Sequence, residues 1–358
     1  MTSIDRATLR QLAATTGPAI TIVCPLDKLA PGNQHDERTL ADLGRTARRQ
    51  LESDVNDRGA AEAVRRNLDD AFTMLSGMAP SEGVALFAGV DRAHVVPLHM
   101  SVQPRALVSQ GFGITEVVTD AARRERSRVL VLSLAKTRCI DLDGRDVCER
   151  HDAGFPVEVE APTREETPHA DFALDEHEHA EAVQFVLRAV DTAFQKVHDA
   201  DPRPLVLMGA ERDLSYWTRI SRSPAQVLGH VHGNYEWAGT SAIAALALPV
   251  LESSRRERDH AAAAEIGEKL TNGATCGIAD VWSAARSGRG HRLVVEENYH
   301  FDARLDGDGL TPATNGSCDA FDAVDDALRE QIRHDGEIVV VGEGILADFG
   351  RIAVSLRY

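Results

Sequence analysis

Nothing in this 358-residue chain reads as a membrane span: the longest apolar run, Ala242 to Leu251, is ten residues with Pro249 inside it, against the ~20 that a bilayer crossing requires. The N-terminus, MTSIDRATLRQLAATTGPAITIVCPL, lacks a basic region followed by an apolar core and a small-residue cleavage site, so no export is indicated. Five scattered cysteines (Cys24, Cys139, Cys148, Cys276, Cys318) include no C-x-x-C. Neither a disulfide framework nor a zinc knuckle is written here, and reduced thiols in a cytoplasm are expected. Without export, the glycosylation triplet Asn315-Gly316-Ser317 is a chance match. Lysine is scarce, with Lys28, Lys136, Lys196 and Lys269 among 39 basic residues, so arginine carries nearly all the positive charge. No G-x-x-x-x-G-K-[ST] occurs, which removes a P-loop nucleotide site.

What the chain does contain is ordinary globular composition, 43% apolar and 27% charged, with a net charge of −17. Bulk disorder and a uniformly basic nucleic-acid binder are both excluded. The length suits two or three domains of ~100–200 residues each.

Periodicity orders the chain as follows. Ala19–Cys24 (AITIVC) reads as a buried strand, residues 36–53 and 57–78 as amphipathic helices, and Gly83–Gly89 with Ala93–Leu98 as a hairpin. A polar stretch, Asp120–Arg128, precedes strands at Val129–Leu134 and Arg138–Leu142, with an Asp143-Gly144 turn into Asp146–Arg150. Residues 149–181 hold eleven acidic residues against two basic, with three prolines, and are expected to be an exposed loop. A helix follows from Ala180 to Val197, a short strand at Leu205–Met208, and a long helix over 240–270. The last segment reads helix, strand at Arg292–Glu296, a Gly/Asp loop at Asp302–Ser317, helix from Phe321, strand at Glu337–Val341, short helix and strand. This alternation predicts an α/β fold of three α/β domains, 1–126, 127–250 and 251–358, the last an α/β sandwich.

The acidity is unevenly placed. Residues 1–126 hold 15 basic and 16 acidic side chains, whereas 127–250 and 251–358 each hold 12 and 20. The near-neutral first segment clusters Arg45, Arg48 and Arg49, and Arg65 and Arg66, at helical spacing that can form a cationic strip. These five are candidate RNA-phosphate contacts, against the plainer reading of a solvated helix face.

Other motifs carry less. Gly342-Glu343-Gly344-Ile345-Leu346-Ala347 matches G-x-G-x-x-A after a strand, but too little chain remains to complete a dinucleotide-binding βαβ unit, so a tight turn is expected. His169, His177 and His179 lie among acidic residues without a structural zinc pattern. His230 and His232, with Ser221, Ser223 and Asp213 nearby, could form a Ser-His-Asp group, but G-x-S-x-G is missing and turn and strand-edge roles explain them. No catalytic, cofactor-binding or metal residues are assigned.

A resemblance rests on the order of several blocks. VLVLSLAKTRCIDL (129–142), LVLMGAERDLSYW (205–217), Val231–Asn234 with the helix after it, CGIADVWSAARSGRGHRLVVEEN (276–298) and the closing IVVVGEGILADFGRIAVSLRY are together similar to the archaeal and eukaryotic class 1 peptide release factor and Pelota superfamily, in its divergent bacterial form. The resemblance covers residues ~127–358. It implies a middle domain with a mixed sheet and a hairpin, directed at the peptidyl-transferase side of the ribosomal A site. It also implies a release-factor domain 3 type C-terminal sandwich that contacts ribosomal RNA or a partner translational GTPase. The family's Gly-Gly-Gln tip should fall within Ala161–Glu181, where this chain has no glycine and no glutamine. The tip equivalent is Thr163, Arg164, Glu165, Glu166, His169 and Asp171.

The resemblance and the missing tip together lead to the expectation of a non-hydrolytic, ribosome-associated factor that occupies the A site in hibernation or rescue, with ribosomal RNA and tRNA as partners; the missing export signal, span and nucleotide motif add the expectation of a cytoplasmic protein with no membrane and no cofactor. Two alternatives stand beside it: a tRNA or peptidyl-tRNA hydrolase using the acidic, histidine-bearing loop, and an acidic adaptor that holds a basic protein.

Overall fold

A computed structural model describes residues 6–133, 135–144, 146–158, 172–222, 225–307, 309–313 and 320–357, with the side chains of 172–184 excepted. The chain divides into two compact units, one of residues 124–257 and one combining 1–123 with 258–358.

The first segment runs α1 (Arg6–Ala13), β1 (Pro18–Pro25), α2 (Gln34–Asp54), α3 (Arg58–Leu75), β2 (Gly83–Ala88), β3 (Ala93–Leu98), β4 (Arg105–Gln110) and α4 (Thr115–Arg123). Its four strands form an antiparallel sheet in the order β3-β2-β1-β4. The continuous apolar run of β1 has a clear cause: Ile20, Ile22 and Cys24 pack against α2 and α3, while Ala19 and Val23 face a second core. A strand covered on both faces has no reason to alternate. Asn33 and Asp57 cap α2 and α3 by accepting their first free backbone N–H groups.

The middle of the chain runs β5 (Arg126–Val131), β6 (Arg138–Asp143), β7 (Asp146–Glu149), α5 (Phe172–Ala200), β8 (Leu205–Gly209), α6 (Glu211–Ile220), β9 (Val227–His232) and α7 (Thr240–Lys269). The sheet order is β7-β6-β5-β8-β9, antiparallel from β7 to β5 and parallel from β5 to β9. This is a mixed sheet with a hairpin. Leu130, Leu205 and Leu207 pack on Leu187, Phe194 and Trp217 of α5 and α6, and Val129, Val131, Val206 and Met208 pack on Ile243 and Ala247 of α7. The division between the two units falls inside α7.

The last segment runs β10 (Ala274–Cys276), α8 (Ile278–Arg286), β11 (Gly290–Glu296), β12 (Asp302–Asp306), β13 (Gly309–Pro312), β14 (Phe321–Asp322), α9 (Ala323–Arg333), β15 (Glu337–Val341), a 3-10 turn (Ala347–Phe349) and β16 (Ile352–Leu356). A mixed sheet, β10-β16-β11-β15, is covered by α8 and α9 on one face and by the second half of α7 on the other. Its core is continuous with that of the first segment: Phe87, Leu98, Phe112 and Val117 share one cluster with Trp282, Leu293, Val324 and Leu328. The fold is mixed α/β throughout.

Two expectations fail locally, and one stretch that the pattern left unassigned is structured. The polar stretch at 120–128 is the end of α4 and the start of β5. Its arginines are paired with carboxylates, Arg123 with Asp259 of α7 and Arg124 and Arg128 with Asp143 and Asp141 of the neighbouring β6, and these three side chains are 10% exposed or less, so local polarity concealed sheltered positions. The loop expected up to residue 181 gives way to helix at Phe172. The Gly/Asp loop at 302–317 contains the β12–β13 hairpin, in which Asp306 pairs with Gly309 across the turn.

Candidate functional site

In the middle unit, the segment expected to carry the tip leaves the sheet at a defined root. Thr137 and Val157 exchange N–H···O=C bonds at 2.9 Å in both directions. The Thr137 hydroxyl donates to the Ser133 carbonyl at 2.9 Å, and Lys136 pairs with Glu158 at 2.8 Å. The turn after β5 and the strand-like residues before the tip are thus tied together. Thr163, Arg164, Glu165, Glu166, His169 and Asp171 lie outside the described residues, as does Ser223; the chain is described again from Phe172, where α5 begins.

The same unit holds a set of ion pairs built around one wholly buried arginine. Arg128, wholly buried on β5, donates from Nε to Asp141 Oδ1 at 2.6 Å and from Nη1 to the Asp201 carbonyl at 3.1 Å. Asp141 also accepts from Arg150 at 3.0 Å, and Arg203 donates to Asp201 at 2.7 Å. Arg138 forks onto Glu149 at 2.8 and 2.6 Å. Among the described residues the arginines of this sheet are paired with nearby carboxylates and offer little charge to an external phosphate.

Residues 128–289, somewhat under half of the chain, match the model of bacterial archaeo-eukaryotic release factor family 3. Over those residues the chain is similar to a bacterial release-factor-like family. The chain is also similar to an archaeal translation termination factor, aRF1, at 14% identity over 99% of both chains with a TM-score of 0.26. It is similar to a ribosome-bound archaeal Pelota, described together with ABCE1, at 14% identity over 76% of this chain and 73% of that one, TM-score 0.41. S. cerevisiae Dom34, a translation termination-like factor involved in RNA quality control and interacting with Hbs1, matches at 12% identity over 76% and 75%, TM-score 0.41. A comparison with curated protein sequences finds no match.

The five strip arginines lie on α2 and α3, but most are already engaged. Arg45 pairs with Asp42, Arg48 with Asp69 at 2.6 Å while lying over the Phe72 ring, and Arg65 with Glu62 at 3.6 Å. Arg49 and Arg66 are exposed and have no carboxylate partner among the described residues. Arg45 and Arg48 also line a cavity of about 780 Å³ whose apolar walls include Leu40, Phe72, Leu75 and Met78.

Sequence reasoning missed a charged cluster where the first and last segments of the chain meet within their shared unit. Arg105 of β4 donates to Asp322 Oδ2 at 2.8 Å, and its Nη1 lies 3.8 Å from Glu116 and 4.0 Å from Asp325. His300 Nδ1 is 2.7 Å from Asp322 Oδ2, and Asp325 Oδ1 accepts from the Ile114 and Thr115 N–H groups at 2.7 Å and from the Thr115 hydroxyl at 2.5 Å. Burial, reinforced by Asp322, pushes the Asp325 carboxyl upward, and burial with Asp325 does the same to Glu116. Burial also opposes the charge on Asp322, but hydrogen bonding from His300 and the Arg105 charge outweigh it and hold that carboxyl well below its usual range. Donor atoms of His300, Asp322 and Asp325 lie within 4.8 Å of one another, yet the Arg105 guanidinium contacts the first two and acts as the cluster's cation. The signal was invisible locally because the five residues span positions 105 to 325.

The remaining motifs stay apart. Ser221 donates to Asp191 at 2.6 Å, whereas His230 and His232 stack on each other at 6.3 Å on exposed β9, so no Ser-His-Asp group forms among the described residues. The Gly342–Ala347 segment is a turn into 3-10 structure, with the Gly342 N–H donating to Asp259 at 2.9 Å.

Proposed function

We propose that this protein is a ribosome-associated translation factor that binds the A site of idle or stalled ribosomes, in hibernation or rescue, without hydrolysing peptidyl-tRNA. One observation carries the reading. The segment of the release-factor-like region where the family places Gly-Gly-Gln, residues 161–181, has no glycine and no glutamine, and holds seven acidic residues against one basic. A glutamine amide that places water on the ester is missing, and the acidic segment is repelled by the phosphates of the tRNA end. The family match over residues 128–289 supports a role in translation. On this reading the domains are 1–126, 127–250 and 251–358, ribosomal RNA and tRNA are the partners, and a translational GTPase is a further one. Arg49 and Arg66 are the strip residues best placed for RNA phosphates.

Two measurements test it. The purified protein is expected to co-sediment with 70S ribosomes at physiological salt and to leave peptidyl-tRNA intact. Absence of binding at low salt removes the ribosomal role. Ester hydrolysis lost in a Glu165/Glu166/His169 triple alanine variant would establish a hydrolase instead.

A further inference from the structure

We propose that His300 works a pH-sensitive clasp that fastens the last segment of the chain to the first within their shared unit. The imidazole stands between two unlike partners. Nδ1 is 2.7 Å from Asp322 Oδ2, an acceptor, and 2.6 Å from Arg105 Nη1, a donor. A protonated Nδ1 donates to the carboxylate; a bare Nδ1 accepts from the guanidinium. It cannot do both, and either bond is open to a neutral tautomer; what only the charged ring adds is a donor at each nitrogen at once, Nδ1 to Asp322 and Nε2 facing Glu116 of the first segment at 3.6 Å.

The charges around it give that choice a direction. Arg105 faces His300 from β4, Glu116 from α4 at 3.6 Å from Nε2, Asp322 from the end of β14 and Asp325 from the first turn of α9, with Tyr299 beside it in the chain. Three carboxylates thus meet one permanent cation. Among the described residues only an imidazolium adds a second, and one Asp325 oxygen, Oδ2, has no hydrogen-bond partner there. The pairs Arg105–Asp322 and Thr115–Asp325 bridge segments more than 200 residues apart, so the charge balance here bears on how the two segments hold together.

The sign follows. Burial and Arg105 disfavour the charged imidazole, but Asp322 and Glu116 outweigh them and His300 titrates above its ordinary value, ~6.5. A group raised on folding contributes stability that is fully present below its unfolded value and is lost as pH rises through the folded one. Glu116 and Asp325, also raised, lose their protons in the same direction. The clasp is therefore tight on the acid side of neutrality and loosens as pH climbs.

Site-resolved hydrogen exchange on the full chain, corrected for intrinsic rates, tests this between about pH 6 and about pH 9. Opening of residues 113–118 and 321–333 is expected to rise several-fold in the wild type, while β5 and β8 in the other unit stay flat. The His300→Gln variant, which cannot acquire charge, should lose most of that pH dependence. The NMR titration of His300 in the wild type gives a readout that needs no variant. Equal opening at both pH values, an unchanged profile in His300→Gln, or an imidazole that titrates at or below its ordinary value would each overturn the clasp.

Discussion

Arg128 and Asp141 form a 2.6 Å ion pair across neighbouring strands of the middle unit, and the arginine side chain is wholly buried. Removing one partner leaves a buried charge without its counter-ion, which costs ~3–5 kcal/mol, whereas replacing both by apolar groups of similar volume is often neutral or stabilising. Asp141→Ala is therefore expected to destabilise this unit by ~3–5 kcal/mol, and Arg128→Met with Asp141→Leu to recover most of the loss. Denaturant melts of the two variants check it; an Asp141→Ala loss below ~1 kcal/mol would show that Asp201, whose carboxylate lies 3.7 Å from Arg128, takes over as its counter-ion.

The acid side of stability is expected to depend on Asp322. Its depressed pKa contributes stability that is present above the unfolded carboxylate value of ~3.9 and lost as pH falls through the lower folded value. Arg105→Gln removes one of the groups that depress it, so acid unfolding of the shared unit should begin at higher pH. Acid titration followed by Trp282 fluorescence, in a variant lacking Trp217 and Trp237, reads this directly. An acid midpoint unmoved by Arg105→Gln refutes it.

Thiol reactivity should be strongly ordered. Burial pushes the Cys24 and Cys139 thiols up to about 12, with Asp36 adding to the effect at Cys24, while Cys148 is exposed. At pH 8 the two buried groups have a thiolate fraction on the order of a thousandfold below that of a free thiol of pKa ~8.5. Alkylation followed by peptide mapping should label Cys148 in the native protein, and Cys24 and Cys139 only once the chain unfolds.

Among the strip arginines, the unpaired ones should matter most for RNA. Arg49→Glu and Arg66→Glu are expected to weaken ribosome binding and each to lower the salt slope by about one, whereas Arg48→Gln, which breaks an internal pair with Asp69, should do less. Sedimentation across a salt series separates the two outcomes. Equal effects from all three substitutions would show that the internal pairs open on the ribosome.

Much of this protein was legible from local pattern. The buried strand at β1, the amphipathic α2 and α3, the β2–β3 hairpin and the β5–β6–β7 meander all follow from residues within a few positions of one another, because periodicity and turn chemistry are local properties. The order of blocks from Val129 onward carried the family resemblance for the same reason, and the missing Gly-Gly-Gln is a fact of sequence alone. Only the tertiary structure decided where charges go. It turned an apparently polar stretch at 120–128 into helix and strand with buried arginines, tied three of the five strip arginines to carboxylates, and assembled Arg105, Glu116, His300, Asp322 and Asp325 into one cluster. It also merged the cores of the first and last segments. An ion pair is defined by distance in space, and positions 200 residues apart hold no local sign that they will meet.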